Sequence, residues 1–95
     1  MVSIKFEMER GYEYVVGEEG HYDVTFTGCV VGYLYDDNTG RLLDSLSNEV
    51  SATGLGSTEY EAKEWARNEW RDRVSEAKSN IRGCLMRTYQ DRYGY

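Results

Sequence analysis

The sequence predicts an α+β domain in which an antiparallel meander of about four strands packs against a long, kinked C-terminal helix. Three observations carry this. Apolar and polar residues alternate through the first half of the chain. Turn-forming clusters interrupt that half at short intervals, which suits hairpins and leaves no room for parallel crossovers. At Ser57 the apolar period changes from two to about 3.6. The chain has 95 residues, the length of one domain, with the sheet in 1–56 and the helical part in 57–92.

Val2, Ile4, Phe6 and Met8 alternate with Ser3, Lys5, Glu7 and Glu9, so the first strand is half-buried. Gly11 marks a bulge or break before Tyr12–Val16. Gly17-Glu18-Glu19-Gly20 is a turn. The second strand starts at His21, with Tyr22, Val24 and Phe26 on one face, and resumes after Gly28 as far as Tyr35. Asp36-Asp37-Asn38-Thr39-Gly40 is a hairpin loop, because Asp and Asn initiate turns and Gly accepts positive φ. A third strand covers Arg41–Ser47 and a short fourth covers Glu49–Thr53.

The helix opens on Thr58-Glu59-Tyr60-Glu61, a capping box. Ala62, Ala66, Trp70, Val74, Ala77, Ile81 and then Cys84 or Leu85 recur at three and four residues and form its apolar face. Pairs such as Glu59 with Lys63 and Glu69 with Arg73 add local support. Continued to Arg92 it would be about 50 Å long, at 1.5 Å per residue. Compactness therefore predicts a break at Ser79-Asn80 or Gly83.

The charge balance narrows the functional classes. Seventeen acids oppose eleven Lys and Arg, for a net charge of −6. Such a surface repels nucleic acid and attracts basic partners. The excess is uneven: residues 1–64 carry −9 and residues 65–95 carry +3. The alternation after Met1 differs from a signal peptide, and no apolar run reaches membrane-spanning length. A cytoplasmic protein is expected, with Cys29 and Cys84 as two buried thiols, and one disulfide between them as the alternative. These cysteines and the lone His21 are too few for a zinc site, and no metal or cofactor is expected. No serine or cysteine has a second histidine to activate it and no carboxylate pair is picked out by spacing, so the chain reads as a non-enzyme.

Two charged patterns are candidate sites. Glu18, Glu19, Asp36, Asp37, Asp44 and Glu49 fall at hairpin tips and exposed strand positions. They suit contact with a cationic groove, or alternatively keep the sheet soluble and its edges unpaired. On the helix Lys63, Arg67, Arg71, Lys78 and Arg82 share one stripe beside the apolar face, with Glu61, Glu69, Asp72 and Glu76 on the other side. That stripe suits phosphates or acidic protein, or is a solvated face whose stems cover apolar surface.

Ala52-Thr53-Gly54-Leu55-Gly56-Ser57, followed by Glu61-Ala62-Lys63 and Ala66, resembles the last strand and helix start of double-stranded RNA-binding domains. The resemblance covers about a fifth of the chain. Thr58, Glu59 and Glu61 stand where that family has basic residues, and only Lys63 matches. It therefore implies a similar strand-to-helix topology without phosphate binding at the helix start. Taken whole, this short, acidic, proline-free chain with nine tyrosines resembles the small phage-encoded anti-CRISPR proteins. That resemblance of type implies stoichiometric inhibition of a host RNA-guided (CRISPR-Cas) effector complex in the host cytoplasm. Such complexes hold nucleic acid in positively charged channels. An acidic domain seated on a Cas subunit, or on another basic nucleic-acid-handling protein, competes with target DNA. Tight binding to free nucleic acid is not expected. The alternatives are a nucleic-acid-binding module using the basic stripe, and a phage structural or assembly protein whose Tyr and Trp residues build a homo-oligomer.

Overall fold

A computed structural model describes residues 1–93. Three strands, β1 (Val2–Glu18), β2 (His21–Asp36) and β3 (Leu42–Gly56), form an antiparallel meander in the order β1-β2-β3, and α1 (Glu59–Tyr93) packs across one face. β3 runs unbroken through the two segments that the sequence divides at Asn48, because every residue from Asp44 to Gly56 finds a partner on β2. Two glycines supply the positive φ that the hairpins need, Gly20 at 77° and Gly40 at 71°.

The register of β1 shifts between Arg10 and Glu13, at the bulge expected near Gly11. It reverses the side-chain phase of the strand. Ile4, Phe6 and Met8 face α1 before the bulge, and Glu13 and Val15 face it afterwards.

The helix does not break. It runs 35 residues from Glu59 to Tyr93, and Gly83 lies within it with nothing near the position of a Cβ. The physical reason is the sheet. Strands of 15 to 17 residues are themselves about 50 Å long at roughly 3.3 Å per residue. A helix of about 52 Å is matched to them, and the molecule is elongated, 59 × 20 × 14 Å. Gly83→Ala should therefore stabilise the protein, by about 0.5–1 kcal/mol through helix propensity alone. A higher midpoint in urea is the expected reading; a lower one would mean that the backbone at Gly83 departs from the helix.

The core lies between α1 and the inner face of β2 and β3. Val24, Phe26, Val30, Leu34, Val50 and Ala52 meet Ala62, Ala66, Trp70, Val74, Ala77, Ile81 and Leu85. The helical apolar face expected from the sequence is the buried one, with Leu85 in the core and Cys84 exposed. Two glycines let the layers close. A Cβ on Gly54 would lie 2.2 Å from the Ala62 carbonyl oxygen and 2.4 Å from the Ala66 nitrogen, and one on Gly32 would lie 2.4 Å from Ile81 Cγ2.

The cap is a variant of the expected box. The Thr58 hydroxyl accepts the Glu61 N–H at 3.1 Å. The Glu61 carboxylate reaches one residue further back, accepting from the Ser57 N–H at 3.2 Å and the Ser57 hydroxyl at 2.9 Å. An N-cap of this kind contributes about 1 kcal/mol.

Candidate functional site

The helix covers β3 and β2 and scarcely reaches β1. Two surfaces remain uncovered: the whole outer face of the sheet, and the inner face of β1 beside α1. Each collects charge predominantly of one sign.

On the outer face the strand registers line up residues in rows. Glu9, Cys29 and Glu49 share one row, Glu7, Val31 and Ser47 the next, and Lys5, Tyr33 and Ser45 the one after. Neighbours along a strand on this face are about 7 Å apart, and adjacent strands are about 4.8 Å apart. Beyond the bulge Tyr14, Val16 and Glu18 continue the face on β1, opposite Thr25, Asp23 and His21. Among the described side chains its acids are Glu7, Glu9, Glu18, Asp23 and Glu49, all exposed, and its one Lys or Arg is Lys5. Lys5 lies against Tyr35, with its ammonium 5.5 Å from the ring centroid, and Tyr35 packs 6.3 Å from Tyr33. The carboxylate of Glu7, more than partial burial or Tyr35, holds the Tyr33 phenol above its ordinary pKa. A hollow of about 610 Å³ opens at the bulge, with Glu9, Cys29 and Glu49 among its lining residues.

The partner-binding residues expected from the sequence do not form one patch. Glu18 and Glu19 lie at the β1–β2 turn, while Asp36 and Asp37 lie at the β2–β3 hairpin, on opposite ends of a strand about 50 Å long. Nor are Asp36 and Asp37 idle loop tips. Asp36 Oδ1 accepts the Asn38 N–H at 2.8 Å, and the Asp36 carbonyl accepts the Gly40 N–H at 2.8 Å. Asp37 accepts from the Ser3 hydroxyl, and its N–H donates to the Met1 carbonyl. These two aspartates build the hairpin and tie the start of β1 to it. Asp44 is half-buried on the inner face, opposite Leu34, and accepts the Ser45 N–H at 2.8 Å. Of the expected set, Glu49 sits within the acidic face and Glu18 at its end. Glu7 and Glu9 belong there with them, and the signal was present: both alternate with the inward Phe6 and Met8.

The basic stripe lies on the β1 side of α1. Lys63 bonds Glu13 of β1 and Glu59, both at 3.4 Å, and the bond to Glu13 comes first among the causes that raise its pKa. Arg67 pairs with Glu64 at 3.0 Å. Lys78 and Arg82 stand over the Phe6 ring, 5.8 and 5.6 Å from its centroid. Arg71 is exposed and has no carboxylate partner among the described residues. Met8, Trp70, Val74 and Ser75, with Arg67, Arg71 and Lys78, line a groove of about 470 Å³ here.

Neither cysteine is buried: Cys29 is half-buried on the outer face and Cys84 exposed on α1. The sheet separates them, and both are free thiols. Among the described residues no cluster of three or more potential metal ligands occurs, and no helix is long and apolar enough to cross a membrane. No protein-family model, curated protein or solved structure matches this chain.

Proposed function

We propose that this protein is a stoichiometric, non-catalytic inhibitor of an RNA-guided (CRISPR-Cas) effector complex, acting through the outer face of its sheet. One observation carries the reading: an uncovered face whose described residues include five exposed acids, one lysine and three tyrosines, Tyr14, Tyr33 and Tyr35. The face measures about 50 Å by 14 Å, or roughly 700 Å², close to the ~800 Å² per partner of a stable protein complex. Tyrosine suits such contacts, giving large area with a polar tip. The acids steer the protein to cationic channels that hold guide and target strands, where it competes with DNA. The choice of an RNA-guided complex over other basic partners rests on the small, acidic, tyrosine-rich character of the chain.

The test is Glu7→Lys, Glu9→Lys and Glu49→Lys together, all exposed and none holding a turn. Circular dichroism should be unchanged, while protection of target DNA from cleavage falls at least tenfold. A triple variant that protects as well as its parent removes the outer face from the mechanism. If the parent protects against no effector type, the inhibitor reading falls.

The second reading, nucleic-acid binding through the helix stripe, has Arg71 in its favour. Against it stand the net charge of −6 and the engagement of Lys63 by two glutamates. No mobility shift of duplex DNA or RNA is expected near physiological salt. A tight, salt-sensitive shift would reverse the ranking.

A further inference from the structure

The groove between β1 and α1 has an apolar floor and a cationic wall. Met8 on its floor is 51% exposed, and Val15, further along the same face of β1, is 39% exposed. Arg67, Arg71 and Lys78 border the floor from the helix. An occupant that complements both features is apolar at its centre and flanked by carboxylates.

The opposite flank of the same helix has that composition. Trp65 is 53% exposed, the largest apolar side chain left open on the molecule. One turn either side of it come Glu61 and Glu69, and Asp72 and Glu76 follow along the same flank. Arg73 neutralises part of this charge through Glu69, at 3.7 Å. Exposed tryptophan ringed by polar groups is the residue type that most often anchors a protein interface.

The placement of α1 makes the two flanks meet. The helix lies mainly over β3, so its Trp65 flank faces the β3 edge and the groove lies at the β1 edge. A second copy set alongside, with its β3 edge towards β1 of the first and slid about 13 Å along the strands, brings Trp65 from the level of Val15 to Met8 in the groove. The two helices then stand three strand spacings apart, about 14 Å. That exceeds the 8–10 Å of direct helix packing, leaving a gap for a tryptophan and long cationic side chains. The outer edges of β1 and β3, both unpaired by any strand among the described residues, fall side by side in the same arrangement.

We propose that the protein self-associates head to tail, the Trp65 flank of one copy filling the β1 groove of the next. The contact is heterologous, so it extends beyond the dimer unless the rotation closes a ring. It leaves the acidic outer face of every copy uncovered, and stands whether or not that face inhibits a nuclease.

Two variants test it, each changing exposed positions and each checked for folding by circular dichroism. Met8→Glu with Arg71→Glu closes the groove and keeps the tryptophan flank. Trp65→Glu removes the flank and keeps the groove. In sedimentation velocity the parent should sediment faster as concentration rises and pass the dimer, whereas each variant alone stays monomeric. An equimolar mixture of the two should give a one-to-one dimer and stop there, because only one groove and one flank remain. A parent that stays monomeric at every concentration overturns the proposal. So does either variant associating like the parent, or a mixture that fails to pair. A monomeric parent that shifts duplex RNA would assign the groove to nucleic acid instead.

Discussion

Gly54→Val should unfold the protein or cost more than about 3 kcal/mol, the upper end of ordinary overpacking. The reason is what a Cβ meets there: the Ala62 carbonyl oxygen at 2.2 Å, the Ala66 nitrogen at 2.4 Å and the Ala66 Cα at 3.0 Å. All three are backbone atoms, so no side chain can rotate away. Relief requires lifting the first turns of α1 from β3, which opens Ala62 and Ala66, both fully buried, to water. Gly54→Ala meets the same atoms and should cost nearly as much. The urea midpoint reads the effect directly. A midpoint within error of the parent would mean that helix and strand are further apart than the structure places them.

Trp70→Ala should cost about 3–5 kcal/mol, as a large aromatic removed from a close-packed core. Trp70 is 8% exposed and sits midway along the buried face between Ala66 and Val74. Its neighbours on that face include three alanines, Ala62, Ala66 and Ala77, which cannot fill the space it leaves. Trp65→Ala is the internal control. That side chain is 53% exposed, lies outside the core cluster and should change the stability of the monomer, measured at low protein concentration, by less than about 0.5 kcal/mol. Equal losses at the two positions would mean that the helix is rotated from its placement here.

Local chemistry made most of the fold readable. The buried face of α1, the cap at Thr58, the Gly11 bulge and both hairpin turns follow from periodicity and turn residues, which act over a few positions. Overall dimensions did not. The break expected near Gly83 assumed a compact domain, but helix length is set by the sheet it covers, and strand length was obscured where Asn48 interrupts the apolar pattern of β3. The role of Gly54 was equally hidden, since a glycine near a strand end reads as punctuation until the helix above it is placed. The candidate site was legible in its charges and not in its grouping. Acids at two turns look alike in sequence, but in a meander with one turn at each end they are a strand length apart. Asp36 and Asp37 show the remaining difficulty: the residue types that project charge from a hairpin are also the types that build it.

None of the described side chains of β1 belongs to the buried core; the strand is attached through its ladder to β2 and a margin of half-buried contacts from Val2, Ile4 and Phe6. It is therefore the element whose local opening requires the least free energy. Both uncovered surfaces depend on it, since Glu7 and Glu9 project from one side and Met8 from the other. A ligand seated on either side selects the attached strand and draws on the same opening equilibrium. Ligands on the two faces would in this way be thermodynamically linked: occupation of one would lower the ordering cost of the other, and each would raise the other's affinity by the same factor.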